Sequence, residues 1–234
     1  MTASRVADSH VTDSHVAAPG VAAPGVGAAR NMPRILARAV WPDGPEDTLP
    51  AVPGFILSSF NPLVVEVAER CLRRVFPAPP LQDPARAART GILLASAGGD
   101  RGTARALAEA VARGGRVPPL LFFQSNPNAV LGHVTARWGL AGPVVCVSPA
   151  SADGSLDAAL TEAMAVAAAL IGDGDADAML VVAAEQGTEP EQGTESEQGT
   201  ESEQGTEPGG FAAGGSAGKE AGFDSAVALF VTGE

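Results

Sequence analysis

The chain has 234 residues, a net charge of −12 and 45% hydrophobic residues, enough for one sizeable core or at most two small ones. Eight of its acidic residues lie in the repeat EQGTEPEQGTESEQGTESEQGTEP at 185–208, which leaves −4 for the remainder. The globular part is therefore not strongly acidic. With no basic stripe interleaved with aromatics, nucleic-acid binding is not expected either.

Residues 1–33 carry the tandem repeats DSHV and AAPGV with no apolar periodicity, and are expected to form a disordered leader. No basic region followed by an apolar one starts the sequence, so no signal peptide is expected, and no apolar run reaches the ~20 residues of a membrane span. Ile35–Trp41 alternates and predicts a strand. Asn61 before Pro62 reads as a helix cap, with an amphipathic helix following over Pro62–Phe76. Gly91–Ser96 is a continuous apolar run and predicts a buried strand. The turn GGDRGT follows, with a helix over Thr103–Arg113. Strand, Gly-rich turn and helix together suggest a phosphate loop, but neither a GK[ST] ending nor GxGxxG is present, and a simple tight turn is favoured.

Pro118–Gln124 reads as extended and apolar. Asn126 or Asn128 caps a helix over Ala129–Trp138. Val144–Ser148, after the Gly142-Pro143 turn, is an apolar strand. Ser155 or Asp157 starts an Ala-rich helix to Ile171, whose small side chains allow close packing against a sheet. Ala178–Ala184 and Ser225–Thr232 are the last strands. They flank the Glu-rich repeat and can pair as an antiparallel hairpin, with 186–222 inserted in its loop as a disordered excursion. This order predicts an α/β layer architecture. Cys71 and Cys146 fall in apolar segments and read as buried free thiols of a reducing compartment.

Several of these features occur together in one known pattern: Ser125-Asn126-Pro127-Asn128-Ala129, Gly132, Gly142-Pro143, a strand, a small-residue turn, a long helix ending in GDGDAD, and a strand ending Ala183-Ala184-Glu185. In this the sequence resembles the amino-terminal half of β-ketoacyl synthases. The resemblance implies a thiolase-like half, layered αβα with a mixed five-stranded sheet, over 34–234. In active relatives a cysteine nucleophile starts the long helix, activated by the helix N-terminus and nearby histidines. Here that slot holds Ser151 or Ala152, depending on register, and Cys146 lies too far upstream to replace it. The catalytic histidines of the carboxy-terminal half have no counterpart, and His133 reads as structural.

The resemblance therefore implies a subunit without catalysis of its own. It looks like a short chain length factor of a type II polyketide synthase, of the kind that accompanies ketosynthases making polyenes. Such a protein is expected to be cytoplasmic, to need no cofactor or metal, to form a heterodimer with a ketosynthase, and to meet acyl carrier protein through that complex. Nucleic acid and membranes are not expected partners. The resemblance further implies that Val144, Val145, Cys146, Val147 and Ser148 form the partner interface, and that Leu121, Phe122, Phe123 and Asn128 line or cap the acyl tunnel. A central strand and ordinary core packing are the plainer readings of these two groups. An acyltransferase or hydrolase using Ser151, and a carrier-protein binding module, are the competing functions.

Overall fold

The computed structural model describes residues 32–114, 116–149, 155–187 and 223–233. The expected leader, Ser151 and Ala152, and nearly all of the expected insertion lie outside them. The described elements are β1 (Arg34–Trp41), α1 (Phe60–Arg73), α2 (Pro84–Ala88), β2 (Thr90–Ala95), α3 (Arg101–Ala112), α4 (Pro119–Gln124), α5 (Pro127–Trp138), β3 (Val144–Val147), α6 (Leu156–Gly172), β4 (Ala178–Glu185) and β5 (Ser225–Thr232).

The strands form one mixed five-stranded sheet in the order β1-β5-β4-β2-β3. The expected hairpin is present: β4 and β5 pair antiparallel from Ala178↔Thr232 to Glu185↔Ser225. β1 adds to β5 antiparallel, while β4, β2 and β3 run parallel. β2 and β4 are buried along their whole length, so their alternating side chains serve two separate cores. Leu180, Val182, Ile92, Leu94, Ala228 and Phe230 face α1 and α5. Met179, Val181, Leu93, Leu229 and Val231 face α6. The layers are therefore αβα. α6 meets the sheet through Ala159, Ala163 and Ala167, all fully buried and four residues apart, which brings the helix axis close to the strands.

The connection from α5 to β3 passes tightly over the start of β2. Gly139, with φ of 72°, caps α5, and the Gly142 amide donates to the Thr90 carbonyl at 3.1 Å. A Cβ on Gly142 would lie 2.6 Å from the Thr90 backbone, so only glycine fits there.

Three expectations need correction. Pro118–Gln124 is not extended. Pro119 opens the short helix α4, where Leu121 and Gln124, three apart, are the buried pair. Phe122 and Phe123, between that pair, are both exposed. Asn61 is not the cap of α1, which begins two residues earlier than expected, at Phe60 with Ser59 at its N-cap, and the buried Asn61 side chain binds Asp100 instead. The structure also holds a short helix that the sequence reading does not include, α2, capped by Asp83, whose carboxylate accepts from the Ala85 and Arg86 amides. Cys71 is buried as expected, but Cys146 is only half-buried. The open choices of cap resolve to Asn126 for α5 and Ser155 for α6.

Candidate functional site

A cleft of about 420 Å³ opens at the carboxyl ends of β2 and β3. In open α/β sheets this is where ligands bind, because loops and helix N-termini converge there. Phe60 and Asn61 at the start of α1 form one wall, and the 96–100 turn forms the floor. Gln124 and Pro127, between α4 and α5, form the far side, and Cys146, Val147 and Ser148 close the cleft along β3.

Its floor is built by Glu185, at the end of β4. The Glu185 carboxylate accepts the amides of Ala97 and Gly98, the latter at 2.9 Å. These are the amides a phosphate would need, so the phosphate-loop reading of GGDRGT fails for a specific reason: a carboxylate of the chain already holds them. Asp100 is committed in the same way. One of its oxygens caps α3 through the Thr103 amide at 2.8 Å, and the other accepts from Asn61 Nδ2 at 2.8 Å. The next residue, Gln186, donates to the hydroxyls of Ser58 and Ser59 and accepts the Gly102 amide. Glu185 and Gln186 belong to the first copy of the repeat, and the fold uses both as structural residues.

The expected interface residues lie on an edge. Among the described strands β3 pairs only with β2, which places Val144–Val147 at the edge of the described sheet. Val144 is 45% exposed, Ser148 is exposed, and Val145, Cys146 and Val147 are half-buried. The Cys146 thiol donates to Asn128 Oδ1 at 3.2 Å, which ties exposed Asn128 to the same edge. Burial pushes the Cys146 thiol above its ordinary pKa, so it is a poor nucleophile.

The expected tunnel residues divide. Leu121 is buried, whereas Phe122 and Phe123 are 71% and 52% exposed. Phe123 stacks on Phe55 at 6.0 Å, and Phe55 meets half-exposed His133 edge-on at 5.9 Å. Neither Phe122 nor Phe123 lines the cleft; Gln124, the next residue, does. Gln124 and Glu185 are the residues that sequence reasoning missed. Glu185 carried a signal, an acid ending an otherwise apolar strand. Gln124 carried none. Among the described residues, no group of three His, Cys, Asp or Glu side chains is placed to hold a metal ion, and no helix is long and apolar enough to cross a membrane.

Residues 58–213 match the family model for the β-ketoacyl synthase N-terminal domain. The chain belongs to this family. The solved structures it is similar to agree. A chain of the ketosynthase in complex with its chain length factor from Xenorhabdus doucetiae is 18% identical, with a TM-score of 0.52 over 86% of this chain and 79% of that one. A β-ketoacyl synthase from Burkholderia phymatum is 19% identical, with a TM-score of 0.52 over 80% of this chain and 46% of that one. The chain thus spans under half the length of the Burkholderia protein. At these identities the shared property is the thiolase-type fold. No curated protein matches the sequence.

Proposed function

We propose that this ketosynthase-like chain is a non-catalytic, chain-length-factor-like subunit. It pairs with an active ketosynthase and walls part of the acyl-chain tunnel in type II polyketide biosynthesis of the polyene kind. The observation that carries this reading is the open apolar edge of β3. A strand edge of valines half-open to solvent is an aggregation hazard unless another subunit covers it. Further exposed apolar residues, Leu120, Phe122 and Phe123, lie on α4 next to α5, which itself packs on β3. Patches of this kind mark protein interfaces.

The non-catalytic role is supported by residue chemistry. The position expected for the cysteine holds Ser151 or Ala152, and the free thiol nearest it in sequence, Cys146, is bound to Asn128 and resists ionisation. A serine nucleophile needs a base and an orienting group. His133, the histidine among the described residues, is on α5 and lies against Phe55 from the loop before α1.

Co-expression with a ketosynthase from the same gene neighbourhood tests the reading. A stable heterodimer is expected, and Val144→Lys should abolish it without lowering the melting temperature of the chain. A soluble monomer that ignores the ketosynthase would overturn the proposal. Covalent labelling of Ser151 by a fluorophosphonate would favour the hydrolase or acyltransferase instead.

A further inference from the structure

Gln124 is 1% exposed and lines the cleft at the ends of β2 and β3. Its Oε1 accepts the amides of Ile56 at 3.0 Å and Leu57 at 3.3 Å. Only the oxygen end of the amide can accept two N–H groups, so the other end is the NH2. That Nε2 is the one buried side-chain nitrogen without a hydrogen-bond partner among the described residues. Leaving a buried donor unpaired costs about 1–3 kcal/mol, and native proteins keep such groups where a water or a ligand completes them.

The rest of the cleft defines what could do so. Asp100 is the charged side chain in the cleft lining, and both of its oxygens are committed to groups of the chain, as is the Glu185 carboxylate beneath the floor; the exposed Arg101 guanidinium stands at the rim, against Gly98. Phe60, Leu94 and Val147 supply apolar walls. At about 30 Å³ per heavy atom, the share of a water molecule in the liquid, the cleft has room for on the order of ten heavy atoms. The occupant that fits is neutral, mostly apolar, and carries an acceptor oxygen. A hydrocarbon alone would leave Nε2 unpaired, and a carboxylate or phosphate would have to lie beside the Asp100 carboxylate.

We propose that Gln124 is a specificity-determining residue, whose NH2 donates to a keto or hydroxyl oxygen carried along an otherwise apolar acyl chain. This rests on the reading of the subunit as a tunnel wall. A site built around a hydrogen bond discriminates against the analogue lacking the oxygen, because its own donor is then stranded.

The test compares two N-acetylcysteamine thioesters, hexanoyl and 3-oxohexanoyl, which differ by one keto oxygen. Binding is measured by calorimetry on the full chain, alone and with its ketosynthase. The wild type should prefer the oxo form about fivefold, within the range of one net hydrogen bond. Gln124→Glu keeps the acceptor for Ile56 and Leu57 but lacks the NH2, and Gln124→Met lacks both. Each should lose the preference between the two thioesters, whatever its absolute affinity, and folded material is confirmed by melting temperature. Equal affinity for the two thioesters in the wild type, a preference that survives in Gln124→Glu, or no binding of either thioester would each overturn the inference. If the heterodimer fails to form but the preference holds, the partner reading falls and the cleft assignment stands. If the heterodimer forms without the preference, only the cleft assignment falls.

Discussion

Glu185 accepts the Gly98 amide at 2.9 Å, joining the end of β4 to the turn that follows β2. The same carboxylate takes the Ala97 amide, and the side chain is nearly buried. Replacing it with glutamine turns an NH2 toward one of these N–H groups and strands a donor. We expect Glu185→Gln to cost about 1–3 kcal/mol of stability in denaturant unfolding. Unchanged stability would show that the turn holds its shape without the carboxylate.

This bond also shows what a sequence hides. The strands were legible because β1 alternates and the others are short apolar runs, and β5 falls on the predicted Ser225–Thr232. The αβα layering followed from their order. Glu185 and the 97–98 turn are far apart in the chain, and β4 lies beside β2 only through sheet order, which no local pattern encodes. Gln124 was illegible for a related reason: its neighbours Ile56 and Leu57 come from a distant loop. α4 was misread because two prolines before an apolar run look extended, and its six residues hold too few turns for a helical period to emerge. The edge position of β3 could not be told from a central one, since both are apolar.

The base of the β4–β5 hairpin is closed within the first copy of the repeat. The Gly187 amide donates to Asp224 Oδ1 at 2.9 Å, beside the Glu185↔Ser225 pair. Residues 188–222 then form a single connection whose length costs closure entropy. Deleting 192–217 shortens it to about a quarter, two doublings in reverse. This should stabilise the chain by about 1.2 kcal/mol. A fall in melting temperature would mean that the repeat makes contacts that matter.

Gly142 offers a sharper test of packing. A methyl group there would lie 2.6 Å from the Thr90 backbone, and neither strand can yield without disturbing the β2–β3 pairing. Gly142→Ala should cost about 1–3 kcal/mol, the usual range for overpacking, as read by urea unfolding. Gly132, with open space around its Cα, is the control: Gly132→Ala on α5 should be neutral or slightly stabilising.

The two thiols report on the partner interface. Burial pushes Cys71 up to about 12, and no thiolate forms there near neutral pH. Cys146 is also raised by burial, but it stands half-open on the β3 edge. With the pKa raised, the thiolate fraction at any given pH is lower than for a free cysteine and grows as pH rises. Iodoacetamide should therefore alkylate Cys146 slowly at pH 8, faster at pH 9, and leave Cys71 untouched in the folded chain. If β3 is the surface the ketosynthase covers, complex formation should protect Cys146 at both pH values. Mass spectrometry of the alkylated peptides measures this directly, and equal labelling of Cys146 with and without the ketosynthase would place the interface elsewhere.

Phe122 and Phe123 separate interface from core. Phe122 is mostly exposed on α4, so truncating it should change the stability of the isolated chain by less than about 0.5 kcal/mol, while truncating Phe123, stacked on Phe55, should cost about 0.5–1.5 kcal/mol. Large effects are expected only in the complex. If α4 caps the tunnel there, Phe122→Ala or Phe123→Ala should lengthen the products made with the ketosynthase. Phe123 is the stronger candidate, because its ring is already held against Phe55 and so presents a fixed surface, while Phe122 has no ring partner among the described residues. Chromatography of the products from each variant decides between them. Unchanged chain lengths with intact heterodimer would leave α4 as a docking helix and remove it from the tunnel.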